Sequence, residues 1–179
     1  TYEILIPEGS YFDYTEQKGW INDYRIRLND GVNYTAERNG VLYKPFTDTT
    51  AFVIGCTDTF KGIAHIKDTI QAFSKTFVVT EIAANAFQSN TSITGIDFGD
   101  NCRLKIIGNF AFEQCTNLGG TLAIPVSITA LGDACFQKTA ITNVVFSKDG
   151  NLKTIGSNAF RDCPNLGGEI CMPASLEST

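Results

Sequence analysis

A six-residue phrase recurs four times in this chain, and its spacing is what most constrains the fold. The copies are Ile82-Ala-Ala-Asn-Ala-Phe87, Ile107-Gly-Asn-Phe-Ala-Phe112, Leu131-Gly-Asp-Ala-Cys-Phe136 and Ile155-Gly-Ser-Asn-Ala-Phe160, whose closing phenylalanines stand 25, 24 and 24 residues apart. Each is followed by a polar turn and then an apolar pair: Ile96/Phe98, Leu122/Ile124, Val144/Phe146 and Ile170/Met172. A longer rhythm overlies this one, since Cys115-Thr-Asn-Leu-Gly-Gly120 returns as Cys163-Pro-Asn-Leu-Gly-Gly168. A fixed period in the twenties is the mark of a solenoid, in which each unit buries its apolar side only against its neighbours. The register predicts that Phe87, Phe112, Phe136 and Phe160 form one buried ladder. The four apolar pairs are read as strands of a β-rich stack with short helical or irregular turns.

The flanking sequence departs from the repeat. Residues 1–28 read as a small strand-helix segment: a strand Tyr2–Ile6, a helix capped by Ser10 and ended by Gly19, and a strand Tyr24–Leu28, with Trp20 plugging the helix onto the body. Residues 29–75 read as a hairpin and an irregular first repeat. Asn39-Gly40 is a hairpin turn signal, and Val41–Tyr43 is expected to pair with Ala51–Ile54 across the loop Lys44 to Thr50. Ile66-Lys-Asp-Thr-Ile70 matches Ile124-Pro-Val-Ser-Ile128 and Met172-Pro-Ala-Ser-Leu176. Nine extra residues, among them Phe73 and Phe77, then separate Ile70 from the next repeat. Residues 76–179 are the regular array, one continuous body with what precedes it. The chain opens without Met and stops soon after Leu176 starts another unit, which reads as a mature product or a piece of a longer protein.

Composition narrows the function classes. The net charge is −5 and no run of Lys or Arg occurs, so a nucleic-acid surface is not expected. No apolar stretch reaches the roughly 20 residues that span a bilayer. The 6 cysteines invite a disulfide reading, but Cys115 and Cys163 hold the same slot two units apart. Stacked strands would separate them by about 10 Å, beyond the roughly 7 Å a disulfide tolerates. Cys135 takes the slot that Ala86, Ala111 and Ala159 fill elsewhere, as a small buried filler. Free thiols are therefore expected. There is no Cys-x-x-Cys pair, and neither a metal nor a cofactor is implied.

Candidate site residues come from strand alternation. The outward positions between the apolar pairs are Asp97, Ala123, Val145 and Cys171. The matching exposed positions on the following segment include Glu81, Lys105, Lys153 and Thr154. Together these form a row for a partner surface, with the interrupting segments Lys44 to Thr50 and Gln71 to Thr76 as the other place for a site. Catalysis has one narrow opening, the single histidine His65 with Cys56 as a nucleophile.

The pattern Ile-Pro-x-Ser-Ile-x-x-Leu-Gly-x-x-Ala/Cys-Phe, joined to Cys-x-x-Leu, resembles the BspA-like leucine-rich repeat. Ile6-Pro-Glu-Gly-Ser-Tyr with Gly19-Trp20 resembles the helical segment that closes such arrays, although here it comes first. Asn39-Gly-Val-Leu-Tyr-Lys44 resembles the hairpin that opens many units. The resemblance implies a right-handed leucine-rich-repeat solenoid, exported or held at a cell surface. It further implies a partner that is a protein or glycan of a host or neighbouring cell, as in the adhesins of oral and gut anaerobes. A structural spacer within a larger surface protein is the second reading, and a Cys-dependent enzyme a remote third.

Overall fold

The computed structural model describes residues 25–29 and 33–177, apart from 48, 73 and 169. The strand and helix expected within residues 1–24, Trp20 included, lie outside the described residues. Thirteen strands are present among those described: β1 (Arg25–Asn29), β2 (Asn33–Arg38), β3 (Val41–Pro45), β4 (Thr50–Cys56), β5 (Gly62–His65), β6 (Thr69–Ala72), β7 (Lys75–Ile82), β8 (Ile93–Asp97), β9 (Ile106–Ile107), β10 (Gly119–Ile124), β11 (Ala130–Leu131), β12 (Ala140–Phe146) and β13 (Thr154–Ile155). They wind as a β-solenoid, with turns in place of helices along the described array.

One long sheet runs the length of the stack in the order β1-β2-β3-β4-β7-β9-β11-β13. Its first part is an antiparallel meander. Asn39 and Gly40 both have positive φ, 50° and 79°, the paired left-handed geometry of a tight hairpin turn. From β4 onward the pairing is parallel, one strand per solenoid turn. The nine extra residues before the second unit form a hairpin: β6 folds back antiparallel onto β7, with Ser74 at φ 55° in the bend. The interrupting segment Gln71 to Thr76 is thus the tip of a paired hairpin.

Between the strands the core is laid down in ladders. Ile82, Ile107 and Leu131 are buried at equivalent places, and so are Leu104, Ile128 and Leu152. The phenylalanine ladder forms as expected. Ring centroids are 4.9 Å apart for Phe87–Phe112, 5.2 Å for Phe112–Phe136 and 5.5 Å for Phe136–Phe160, with interplanar angles of 12°, 3° and 7°. The first three rings are buried, and Phe160 is half-buried against the same core.

The phrase that carries each phenylalanine folds into overlapping β-turns. Positive φ recurs at Asn85, Phe110, Ala134 and Asn158, and again four residues on at Ser89, Gln114, Lys138 and Asp162. This alternation turns every second N–H along the solenoid axis. In consecutive turns Asn85, Phe87 and Ser89 donate to the carbonyls of Asn109, Ala111 and Glu113, and Phe110, Phe112 and Gln114 to those of Asp133, Cys135 and Gln137. The turn face is therefore tied by a hydrogen-bonded ladder of its own, which leaves few buried backbone groups unpaired.

The opposite face carries the strands read from the apolar pairs. Three of the four are strands, β8, β10 and β12. The fourth is not: residues 170–172 have no ladder partner among the described residues, and Met172 is 55% exposed where a core position was expected. The outer edge of β12 instead meets the chain earlier, where Gly167 N–H donates to the Thr142 carbonyl at 3.1 Å.

Candidate functional site

The strands of this second face do not form a continuous sheet. β5 pairs with β8 and β10 with β12, each in parallel, while β8 and β10 are unpaired with one another. The turn lengths that lead into these strands vary from unit to unit. Units carrying Cys-x-Asn-Leu-Gly-Gly reach their core strand residue ten positions after the phenylalanine (Phe112 to Leu122), whereas Phe136 to Val144 takes eight. The links after the strand alternate too, from the long Gly99–Arg103 to the short Pro125–Ser127. Phe87 to Ile96 takes nine, so these lengths vary without by themselves deciding which neighbouring strands pair.

A cleft of about 580 Å³ opens where the pairing fails. Its β8 wall carries Gly95, Asp97 and Asp100, its β10 wall Thr121, Ala123 and Val126, and Ile96, Leu122 and Ile124 lie beneath. The ends are tied. Asn117 Nδ2 donates to the Thr91 carbonyl at 2.7 Å, and Ser127 Oγ lies 3.7 Å from Cys102 Sγ. The volume is in the range of small-ligand sites.

Two of the outward residues expected from alternation, Asp97 and Ala123, line this cleft on opposite walls. Val145 is exposed one strand further on, aligned with Ala123 in the β10–β12 ladder. Cys171 is exposed but sits on no strand. The residues grouped with them do not share the face. Ile106 pairs with Glu81 and Ala130, and Ala130 with Thr154, in the long sheet. Lys105 and Lys153 immediately precede β9 and β13 there, with Lys153 Nζ 3.7 Å from Glu177 Oε1. The single row is thus two surfaces on different sheets. The long-sheet surface continues to Phe52, which pairs with Glu81 and stacks at 4.4 Å on Phe46 of the Lys44–Thr50 segment, itself 66% exposed. Burial pushes the Glu81 carboxyl up from its usual range.

His65 belongs to the cleft, a placement missed by alternation within the regular units alone. Its Nδ1 lies 2.8 Å from Asp97 Oδ2, and the two residues are partners in the β5–β8 ladder. The signal was present, because aligning Ile66 with Ile124 puts His65 opposite Ala123 in the repeat. Asp97 Oδ1 also accepts from Gly99 N–H at 2.9 Å. The Gly99 amide first and His65 second hold the Asp97 carboxyl below its usual range. Cys56 lies elsewhere: its Sγ accepts from Asn90 Nδ2 at 3.0 Å, and burial raises the thiol's pKa. The proposed nucleophile and base are therefore each engaged with another partner, and the thiolate that such chemistry needs is disfavoured.

Cys56 is one rung of a polar spine. Asn90, Cys115, Thr139 and Cys163 hold one slot in successive turns, so Thr139 stands between the two cysteines that share it. Cys115 Sγ–H donates to the Phe87 carbonyl at 2.9 Å, and Thr139 Oγ and Cys163 Sγ both donate to that of Phe136, at 3.0 and 3.1 Å. All six cysteines are free. Burial pushes the Cys115 and Cys135 thiols up to about 12. With a thiol reagent on the native protein, Cys171 should react readily and Cys115 and Cys135 only on unfolding. Oxidised and reduced monomer should melt alike. A reductant-induced drop of many degrees would contradict this arrangement of thiols.

Among the described residues no group of three or more His, Cys, Asp or Glu is placed to hold a metal, and no helix is long and apolar enough to cross a membrane. Residues 58–179 match the family described as BspA type leucine-rich repeat region, in six copies. The chain is similar in structure to a leucine-rich repeat protein from Bacteroides capillosus, with 19% identity, a TM-score of 0.62, and 76% of this chain and 96% of that one covered. It is also similar to a leucine-rich repeat protein from Bacteroides ovatus, with 20% identity, a TM-score of 0.54 and 78% of this chain covered, and it spans 42% of that protein's length. At these identities the likeness is one of fold. Comparison with curated proteins gave no match.

Proposed function

Because this chain belongs to the BspA-type leucine-rich repeat family, we propose that it is a recognition module of a bacterial surface protein, binding a macromolecule of a host or neighbouring cell. The observation that carries this reading is the cleft on the second face. The repeat copies stack into one solenoid, and among the described residues the strand pairing of this face breaks between β8 and β10, walled by the outward residues Asp97 and Ala123. A hydrogen-bonded scaffold that holds such residues in place lowers the ordering cost of binding, which favours recognition. Exposed Val145 and Ile63 extend the contact surface on either side.

Arrays of host matrix proteins and of glycans test the reading. The chain should retain at least one ligand, and Ala123→Arg with Val145→Arg should weaken that binding at least about tenfold, equivalent to about 1.4 kcal/mol. The melting temperature should stay nearly unchanged, since both positions are exposed. Binding that survives both substitutions would shift the site to the long-sheet surface of Phe52, Lys105 and Lys153.

A further inference from the structure

The composition of the cleft says what chemistry would fill it. Its floor is aliphatic, from Ile96, Leu122 and Ile124, and its rim carries two carboxylates, Asp97 and Asp100. No Lys or Arg lines it. Beyond the lining, Lys67 is close enough to help hold the Asp97 carboxyl low. Asp97 is fixed in place, one oxygen on His65 and the other on the Gly99 amide, so its charge is presented in one orientation. Asp100 is exposed. An apolar trough ending in carboxylates is complementary to a long aliphatic stem with a cationic head, a form that lysine and arginine have and anionic or neutral side chains lack.

Two further features separate a protein partner from a free amine. The ends of the cleft are tied by Asn117–Thr91 and Ser127–Cys102, so a side chain can enter but an added strand cannot lie along it. Ile63 and Val126 at the cleft's rim and Val145 beside it are 50%, 53% and 46% exposed, an apolar shoulder that a free cation would leave uncovered. Resting on the recognition reading above, we propose that the cleft between β8 and β10 receives a lysine or arginine side chain projecting from an extended segment of the partner protein. The stem lies on Ile96 and Leu122, the head reaches Asp97 and Asp100, and the flanking residues of the segment cover the apolar shoulder.

The test is an NMR amide-shift titration of the whole chain with capped five-residue peptides. These carry arginine, norleucine or glutamate between two valines, with free arginine amide as the small-cation probe. The arginine peptide should move the amides of Asp97, Gly99, Asp100, Thr121 and Ala123, and should bind at least about tenfold more tightly than the norleucine peptide and the free amide. The glutamate peptide should produce no shift there. Raising the salt should weaken the arginine peptide, because exposed charges are screened. Asp100→Asn should weaken it several-fold, and Ala123→Arg, whose own guanidinium would occupy the cleft, should abolish it. The proposal is overturned if no shifts appear at millimolar peptide, if arginine and norleucine bind equally, or if the free amide binds as well as the peptide. In each of those cases an array ligand that Ala123→Arg still abolishes would leave the recognition reading standing, with a partner of different chemistry.

Discussion

Replacing Phe136 by alanine should cost about 3–5 kcal/mol, the range for deleting a buried aromatic ring. The ring is fully buried between those of Phe112 and Phe160, near parallel to both at 5.2 and 5.5 Å. Removing it leaves a ring-sized void, and neither neighbour can fill it, because each is held by its own turn. The Phe136 backbone donates to the Ala159 carbonyl, and its own carbonyl accepts from Thr139 and Cys163, so collapse would also disturb three hydrogen bonds. For a chain of this size the loss corresponds to a fall in melting temperature of roughly 6–20 °C. Because each unit depends on its neighbours, amide exchange should quicken in the turns around both Phe112 and Phe160. Phe46→Ala is the comparison, two-thirds exposed and expected to cost less than about 1 kcal/mol. A Phe136 variant that melts with the Phe46 variant would show that the ladder does not hold the stack.

The ladder was legible because its signal is redundant. Four copies of Ala/Cys-Phe at a near-constant period leave one way to stack, and each copy corroborates the others. The hairpin at Asn39-Gly40 was legible for a different reason, since two consecutive left-handed residues are demanded by the turn itself. The cleft was not legible in the same way. The recurrence of Cys-x-Asn-Leu-Gly-Gly in alternate units was visible, but alternation of side chains along a strand says which residues face outward and not which strands are joined. Whether β8 meets β10 depends on the path the backbone takes through the turns between them, which residue spacing does not give. The same limit explains why Lys105 and Lys153 were placed with Asp97 and Ala123. Both sets face outward in every unit, yet they lie on two sheets. His65 is legible through Ile66, although the irregular first unit lacks the phenylalanine phrase that marks the others.

Gly132→Ala should destabilise the protein by about 1–3 kcal/mol, the usual cost of forcing atoms into a packed site. Its φ is not in the positive range, so backbone freedom is not the reason for glycine here. The reason is close approach between turns. A Cβ on Gly132 would lie 2.5 Å from the Asn109 nitrogen and 2.7 Å from the Gly108 carbonyl carbon, closer than real Cβ atoms come. Gly108 and Gly156 repeat the geometry, with backbone atoms of the preceding turn at 2.6 and 2.4 Å. Backbone cannot swing aside as a side chain can. The two turns must instead separate, which stretches the bonds from Gly132 N–H to the Ile107 carbonyl and from Phe110 N–H to that of Asp133, both 2.8 Å. Ala83 fills the equivalent slot in the first copy of the phrase, where what precedes it is the β3–β4 hairpin and not another turn. Gly167→Ala is the control, having no positive φ and no atom within 4 Å of the added carbon. It should change stability by less than about 0.5 kcal/mol. If thermal melts of Gly132→Ala and Gly167→Ala coincide, the turns are not in contact at the separation that fixes the spacing of the stack.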